Sequence, residues 1–302
     1  MVYTVTFNPA LDYVMHRKGP LQPGETNRSS EEQICYGGKG INVSYVLGQL
    51  GVESTALGFI AGFTGRELER GVRDMGVRTH FITLPEGMTR INVKLKGETE
   101  TEINAAGPAI DAASAEALMQ AIDELREGDL LILSGSIPAS MPADTYAVIL
   151  ERIAGRGISF AVDATGELLL KTLSYGPLLI KPNLAELCEL FGVEQITREE
   201  IFTYARRLQE QGARNVLISL GPEGAALLSE DGKELFSPAA SGKPVNTVGA
   251  GDSMLAGFLA EYLSSGDARE ALLMGIAAGA ATAFSPVLGT GEEIRRIREA
   301  LK

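Results

Sequence analysis

Asn246-Thr247-Val248-Gly249-Ala250-Gly251-Asp252 leads directly into an apolar helical pattern over Asp252–Leu263. Small residues at 249–251 let backbone N–H groups come close to an anion at a helix N-terminus, where the helix dipole already favours negative charge. Asp252 follows at once, placed to take a proton from a hydroxyl that attacks that anion. The combination suits phosphoryl transfer to an alcohol. A plainer alternative makes Asp252 a helix cap and the glycines a turn.

Outward from this run, short β-branched segments alternate with longer helical patterns. That rhythm argues for an α/β fold around a mostly parallel sheet. Val2–Phe7, Ser54–Phe59, Leu130–Leu133, Ser159–Val162, Leu178–Ile180 and Val216–Leu220 are the predicted strands. Ile41–Leu50, Arg66–Met75, Ser114–Arg126, Asp144–Ala154 and Glu199–Glu210 are the predicted helices between them. Several end at glycines (Gly51, Gly76, Gly128, Gly155, Gly212), as helix C-termini commonly do. Ala268–Phe284, rich in Ala and Gly, predicts a last long helix that a ligand or another helix approaches closely.

One region breaks the rhythm. Arg90–Leu95 (RINVKL) and Thr99–Asn104 (TETEIN) each alternate polar and apolar residues about a turn at Gly97, which predicts an antiparallel hairpin with one polar face. With the segment around Val14–Ile34 it predicts a small β-sheet lid, about residues 13–35 and 87–106, on a single domain spanning 1–302. An ordinary edge hairpin is the alternative.

Composition narrows the function. A chain of 302 residues, 45% hydrophobic, has enough apolar material for a large core. A net charge of -12 argues against electrostatic nucleic-acid binding and makes single cations inside motifs informative. No window reaches membrane-spanning length, so no membrane partner is expected. Cys35 and Cys188 show neither metal-ligand spacing nor a disulfide framework. With an N-terminus that reads as a strand, this predicts a cytoplasmic protein.

Three further elements carry chemistry. Gly37-Gly38-Lys39-Gly40-Ile41-Asn42 matches neither the Walker A spacing nor the dinucleotide fingerprint. It is a turn with one cation and one amide, suited to a polyhydroxylated ligand held against exposed backbone. Asn8-Pro9-Ala10-Leu11-Asp12 places a carboxylate just past the first strand, where open α/β sheets bind ligands. Asp12 there accepts from sugar hydroxyls or closes an Asx turn. Lys181-Pro182-Asn183, with Glu186, follows another short strand. The Asn183 and Glu186 oxygens suit a hydrated Mg2+ or a capping box. Ser219-Leu220-Gly221 adds a small-residue turn near the same edge.

In this order, Asn8–Asp12, Gly37–Asn42, Lys181–Glu186 and Asn246–Asp252 resemble the ribokinase-like (PfkB) family of carbohydrate kinases over essentially the whole chain. The resemblance implies a three-layer α/β/α fold with a small β-sheet lid. It implies ATP and Mg2+ as cofactors and a phosphosugar as substrate. Thr6–Asp12, Thr89–Lys94 and Ser134-Gly135-Ser136-Ile137-Pro138 are similar to the branch acting on fructose 1-phosphate, which implies phosphorylation of its 6-OH. A ketohexose 6-phosphate (tagatose or fructose) phosphorylated at its 1-OH is the alternative, and an inactive sugar-phosphate binder a remote one.

By the same resemblance Asp252 is the general base, and Gly249, Ala250 and Gly251 supply the anion hole. Asp12, Gly38, Lys39 and Asn42 hold the sugar, Arg90 on the lid contacts the substrate phosphate, and Ser136 lines the same pocket. Lys181, Asn183, Glu186, Ser219 and Gly221 lie on the nucleotide and Mg2+ side, with Gly279 near the adenine. Tyr36 stands where the family pattern has a small residue, and Asn246 where many relatives carry Asp. The second departure leaves K+ dependence open, with Gly289-Thr290-Gly291 as a further element of an ion loop. A homodimer through the lid is expected, because Ile91, Val93 and Leu95 need burial on one face.

Overall fold

The computed structural model describes residues 1–98 and 100–301, so Thr99 of the predicted TETEIN strand lies outside the described residues. The chain opens with β1 (Val2–Thr6), β2 (Ala10–His16) and β3 (Glu31–Gly37), then α1 (Lys39–Gln49), β4 (Ser54–Ala61) and α2 (Gly62–Asp74). Next come β5 (Arg78–Leu84), β6 (Arg90–Lys96) and β7 (Thr101–Ile103), followed by α3 (Ala112–Asp123), β8 (Leu130–Ser134) and α4 (Thr145–Ile153). β9 (Ser159–Asp163), α5 (Gly166–Leu173), β10 (Leu179–Ile180), α6 (Leu184–Phe191), α7 (Ile201–Glu210) and β11 (Asn215–Ser219) continue the α/β alternation. β12 (Ala225–Leu228), β13 (Glu234–Ser237), α8 (Ala250–Ser265), α9 (Ala268–Ala283) and α10 (Gly291–Ala300) complete it.

β1 pairs in parallel with β4 on one side and β8 on the other. Its side chains are buried on both faces, which a strand can sustain only between helical layers. The main sheet runs β13-β12-β11-β10-β9-β8-β1-β4-β5, parallel except for the antiparallel pairings of β12 and β13 at one edge. α3 to α7 cover one face, where Leu118, Tyr146, Leu169, Leu187 and Leu208 pack against Val5, Leu131, Val162 and Ile218. α1, α8, α9 and α10 cover the other through Val46, Phe258, Ile276 and Ile294. This is the three-layer α/β/α arrangement the sequence predicts.

A second sheet, order β3-β2-β6-β7, stands apart from the first. It is larger than a hairpin, because β2 pairs antiparallel with β3 and parallel with β6. β2 begins at Ala10, inside the segment expected to be a loop, so Asp12 lies on a strand. Period-two alternation gives the sheet two unlike faces. Asp12, Asn92 and Lys94 share one with Arg90, and Tyr13, Val93 and Ile103 share the other.

The sequence passes over β5, β12, β13, α5 and α10. β12 (AALL) lacks β-branched and aromatic residues and so carries no strand signature, whereas β5 (RTHFITL) has one in Thr79, Phe81, Ile82 and Thr83 but is only half-buried. Among the described residues no helix is long and apolar enough to cross a membrane.

Candidate active site

Parallel strands deliver the residues after their C-terminal ends to one edge of the sheet. Here those ends meet the small sheet across a cleft of about 1370 Å3, wider than one drug-sized ligand needs. Its walls include Asp12, Gly38, Lys39, Asn42, Arg90, Lys181, Asn183, Glu186, Ser219, Gly249, Gly251 and Asp252. Residues 240 positions apart in the chain thus converge, as the predicted roles require.

Asp252 is the third residue of α8 and 6% exposed. Asn42 Nδ2 donates to its Oδ2 at 2.8 Å, tying the α1 motif to the α8 motif. Burial, and then the negative charge of Asp163, push the Asp252 carboxyl up to about 6, against the opposing pull of Lys39, Asn42 and Lys181. A carboxylate at a helix N-terminus would otherwise sit low, so desolvation wins.

Gly249 caps α8 at φ +80°, a left-handed conformation, and a Cβ there would stand 2.7 Å from Leu288 Cδ2. A glycine cap has no side chain to satisfy the first-turn amides. The Ala250 amide is the exception: it donates to Thr247 O at 3.2 Å, and Ala250 is not among the cleft-lining residues. Gly249, Gly251 and Asp252 do line the cleft. Lys181 stands beside them, since a Cβ on Gly251 would stand 3.2 Å from Lys181 Nζ.

Lys181 is held there by Asp163, the last residue of β9. Asp163 Oδ1 lies 3.3 Å from Lys181 Nζ, and its Oδ2 accepts from Lys39 Nζ at 3.0 Å. Burial alone would raise Asp163, but Lys181 and Lys39 outweigh it and hold the carboxyl below the usual range. One carboxylate thus fixes two cations in the cleft, Lys181 buried and Lys39 with 43% of its side chain exposed. Sequence reasoning missed Asp163, although its position at the end of a parallel strand matches that of Lys181.

On the small sheet, Asn92 Nδ2 donates to Asp12 Oδ1 at 2.9 Å, and Lys94 Nζ stands 3.0 Å from Asp12 Oδ2. Arg90 Nε donates to Asn8 O at 3.1 Å and its side chain faces the cleft. Asn92 and Lys94 were also missed, though the RINVKL alternation already put them on the face of Arg90. Tyr36, the departure before Gly37, stands at the cleft wall on β3. Its ring lies against Gly71 of α2, where a Cβ would come within 2.0 Å of it, and its hydroxyl donates to Glu67 at 3.0 Å.

Besides Ala250, three predicted site residues lie off the cleft wall, and two that line it also cap a helix. Ser136 is exposed on the loop after β8 and does not line the cleft. Gly221 opens an exposed 3-10 turn, outside the cleft wall that Ser219 belongs to. Gly279 is buried where α9 crosses α8, and a Cβ there would stand 3.1 Å from Ala250 O. It is a packing glycine that supports the start of α8 from behind. Asn183 and Glu186 form a full capping box on α6, with Glu186 N–H donating to Asn183 Oδ1 and Asn183 N–H to Glu186 Oε2, both at 2.8 Å. Gly289-Thr290-Gly291 likewise opens α10, capped by Thr290 with Glu293.

A ribokinase-like sheet, a buried carboxylate at a helix N-terminus capped by glycine and cations held beside that terminus together fit a small-molecule kinase with an alcohol acceptor. The model of the pfkB family of carbohydrate kinases matches residues 5–294, and the chain belongs to that family. It is 43% identical over 302 residues to the 1-phosphofructokinase of Bacillus subtilis, covering 100% of this chain and 99% of that one. To the D-tagatose-1-phosphate kinase of Bacillus licheniformis it is 39% identical over 290 residues, 96% of this chain and 94% of that one. The fold superposes on phosphofructokinase-2 from Escherichia coli in complex with fructose-6-phosphate with a TM-score of 0.92, at 26% identity, covering 99% and 98% of the two chains.

Proposed function

We propose that this sugar phosphotransferase moves the γ-phosphoryl group of ATP to the 6-hydroxyl of fructose 1-phosphate, giving fructose 1,6-bisphosphate. The observation that carries the reading is Asp252, buried yet lining the cleft, beside the amides of α8 and the Lys181 ammonium. Both sequence relatives described above are named for ketohexose 1-phosphates, in which the far hydroxyl is free to react.

Asp252 accepts the proton of the acceptor hydroxyl as its oxygen bonds to phosphorus and the bond to the ADP oxygen breaks. The Gly251 and Asp252 amides, the α8 dipole and Lys181 face the charge on the transferring group. Asp12, Asn92, Gly38, Lys39 and Asn42 hold the sugar, and Arg90 reaches its phosphate. On the nucleotide side, exposed Val245, Val248 and Val287 give the cleft an apolar wall for a base, near Ser219. Among the described residues no cluster of three or more metal-ligating side chains occurs. That fits Mg2+, which keeps several waters and takes ligands from phosphates. Glu186, with one carboxylate oxygen outside the capping box, is the residue to hold the ion through water, where it would neutralise the phosphate charge. The small sheet serves as a lid that excludes water from the cleft.

A coupled assay of ADP release tests this over fructose 1-phosphate, tagatose 1-phosphate, fructose 6-phosphate and tagatose 6-phosphate. Fructose 1-phosphate is expected to give the highest kcat/KM, by about tenfold over the 6-phosphates. Faster turnover of a 6-phosphate moves the acceptor to the 1-OH, and silence with all of them sinks the reading.

A further inference from the structure

β6 places Arg90, Asn92, Lys94 and Lys96 on the cleft face of the small sheet, and β2 places Asp12 beside Asn92. Arg90 and Lys94 therefore stand to either side of Asp12, while Glu98, Glu100 and Glu102 also lie on the cleft wall and Glu100 sits 3.7 Å from Lys96. Arg90 spends its hydrogen bonds on the carbonyl oxygens of Asn8 and Ala105, so no carboxylate is bonded to it directly. Lys94 is 11% exposed, and its ammonium is fixed by Asp12 at 3.0 Å, with the Glu102 carboxylate, 45% exposed, farther off at 4.0 Å. An ammonium has three N–H donors, and this contact with Asp12 uses one. A lysine held so firmly, with donors to spare and the Arg90 guanidinium on the same face, suits a phosphate.

We propose that Lys94 reads the phosphate already carried by the sugar, working with Arg90 across Asp12, and so restricts this enzyme to phosphorylated ketohexoses. This rests on the phosphosugar kinase reading above. Asp12 then has two duties: it accepts from sugar hydroxyls and it aims Lys94. The phosphate lies at the lid end of the cleft, opposite the reacting hydroxyl at Asp252. The ligand is a monoester phosphate, and inorganic phosphate is its simplest probe.

The test is steady-state kinetics on Lys94→Gln, which keeps a donor for Asp12 but loses the charge, and on Lys94→Arg, which keeps both. For Lys94→Gln the KM for fructose 1-phosphate is expected to rise about 30-fold, while the KM for ATP moves less than about twofold. Competitive inhibition by inorganic phosphate against the sugar phosphate should weaken in parallel, and Lys94→Arg should restore most of both. A sugar KM that rises while phosphate inhibition stays at the wild-type value makes Lys94 a support for Asp12 only and overturns the proposal. An unchanged sugar KM overturns it as well. Should Lys94→Gln fail to fold, Asp12→Asn with and without Lys94→Gln leaves no buried carboxylate unpaired in the double variant, and the same phosphate inhibition is compared between the two. A wild-type protein active on ketohexose phosphates, but with phosphate inhibition indifferent to Lys94, leaves the kinase reading standing. Wild-type protein that turns over no ketohexose phosphate removes that reading and the proposal with it.

Discussion

Asp252, the proposed base, shows how placement sets the proton affinity of a carboxylate. A free Asp carboxylate is too weak a base to draw a proton from an alcohol; one at about 6 is stronger and still roughly nine-tenths ionised at pH 7. kcat/KM is therefore expected to fall on the acid side with a midpoint near 6. The substrate phosphate titrates in the same range, so the diagnostic measurement is a comparison between two enzymes. In Asp163→Asn the negative charge that raises Asp252 is gone and the fields of Lys39 and Lys181 are less compensated, so the midpoint should move to lower pH. A midpoint that stays put shows that the limb belongs to the substrate. The same burial has a cost in stability. Between the ordinary Asp value and about 6 the folded chain keeps a proton that the unfolded chain has released, so ionising Asp252 at higher pH destabilises the fold by on the order of 2–3 kcal/mol. Asp252→Asn keeps an oxygen for Asn42 and has nothing to ionise. It should lose roughly 10²–10⁴-fold in kcat and yet melt a few degrees higher at pH 8, a gain that vanishes below pH 4. Calorimetry across that pH range checks it, and a lower Tm at pH 8 contradicts the account.

At the scale of elements, what the sequence disclosed was whatever depends on local backbone chemistry. The glycines at 249 and 251 announce a bend and an exposed helix start, and the structure places both at the cleft. The alternation in RINVKL announces a sheet with a polar face, and Arg90, Asn92 and Lys94 share it. What stayed hidden depends on pairing. Asp163 has no local signature and acquires its meaning only when β9 sets it beside Lys39 and Lys181. Gly279 looks like a residue cleared for a ligand, but the neighbour it clears is α8, at Ala250 O. Asn183 and Glu186 fit a metal or a cap by spacing alone, and the hydrogen bonds show the cap. The start of α8 also yields a prediction. Gly249→Ala puts a Cβ on a residue at φ +80°, against Leu288, at a cost of about 1–2 kcal/mol, and tilts the first turn whose amides face the cleft. Turnover should drop by about 10–100-fold with a modest loss of Tm. Full turnover in this variant would mean that the bend does not set the amide geometry.

Over the whole molecule, the small sheet is the part whose burial is unfinished. Near its base, Leu11 and Ile91 pack toward α2 with Leu68 and Val72, and Tyr36 locks over Gly71. Farther out, Ile34, Tyr13, Val93 and Ile103 form one continuous cross-strand row on the face opposite Asp12 and Asn92, with Ile34 reaching the cleft rim. Ile34 is 48% exposed and Ile103 60%. A row of large apolar side chains across a whole sheet is the kind of face that a second sheet covers in a two-fold pair, at a spacing of about 10 Å. Such pairing would also stiffen the strands that carry Asp12 and Lys94 on their opposite face, which links assembly to sugar affinity. The wild-type chain is therefore expected to sediment as a dimer at micromolar concentration. Ile34→Lys with Ile103→Lys sets like charges on both partners and should yield monomers. Those monomers are expected to keep the KM for ATP, whose proposed site lies on the large sheet, and to lose roughly tenfold in affinity for the sugar phosphate. A wild-type protein that stays monomeric at every concentration, with the double variant equal to it in sugar KM, shows instead that the row is simply tolerated in water and that the sheet needs no partner to hold Asp12 in place.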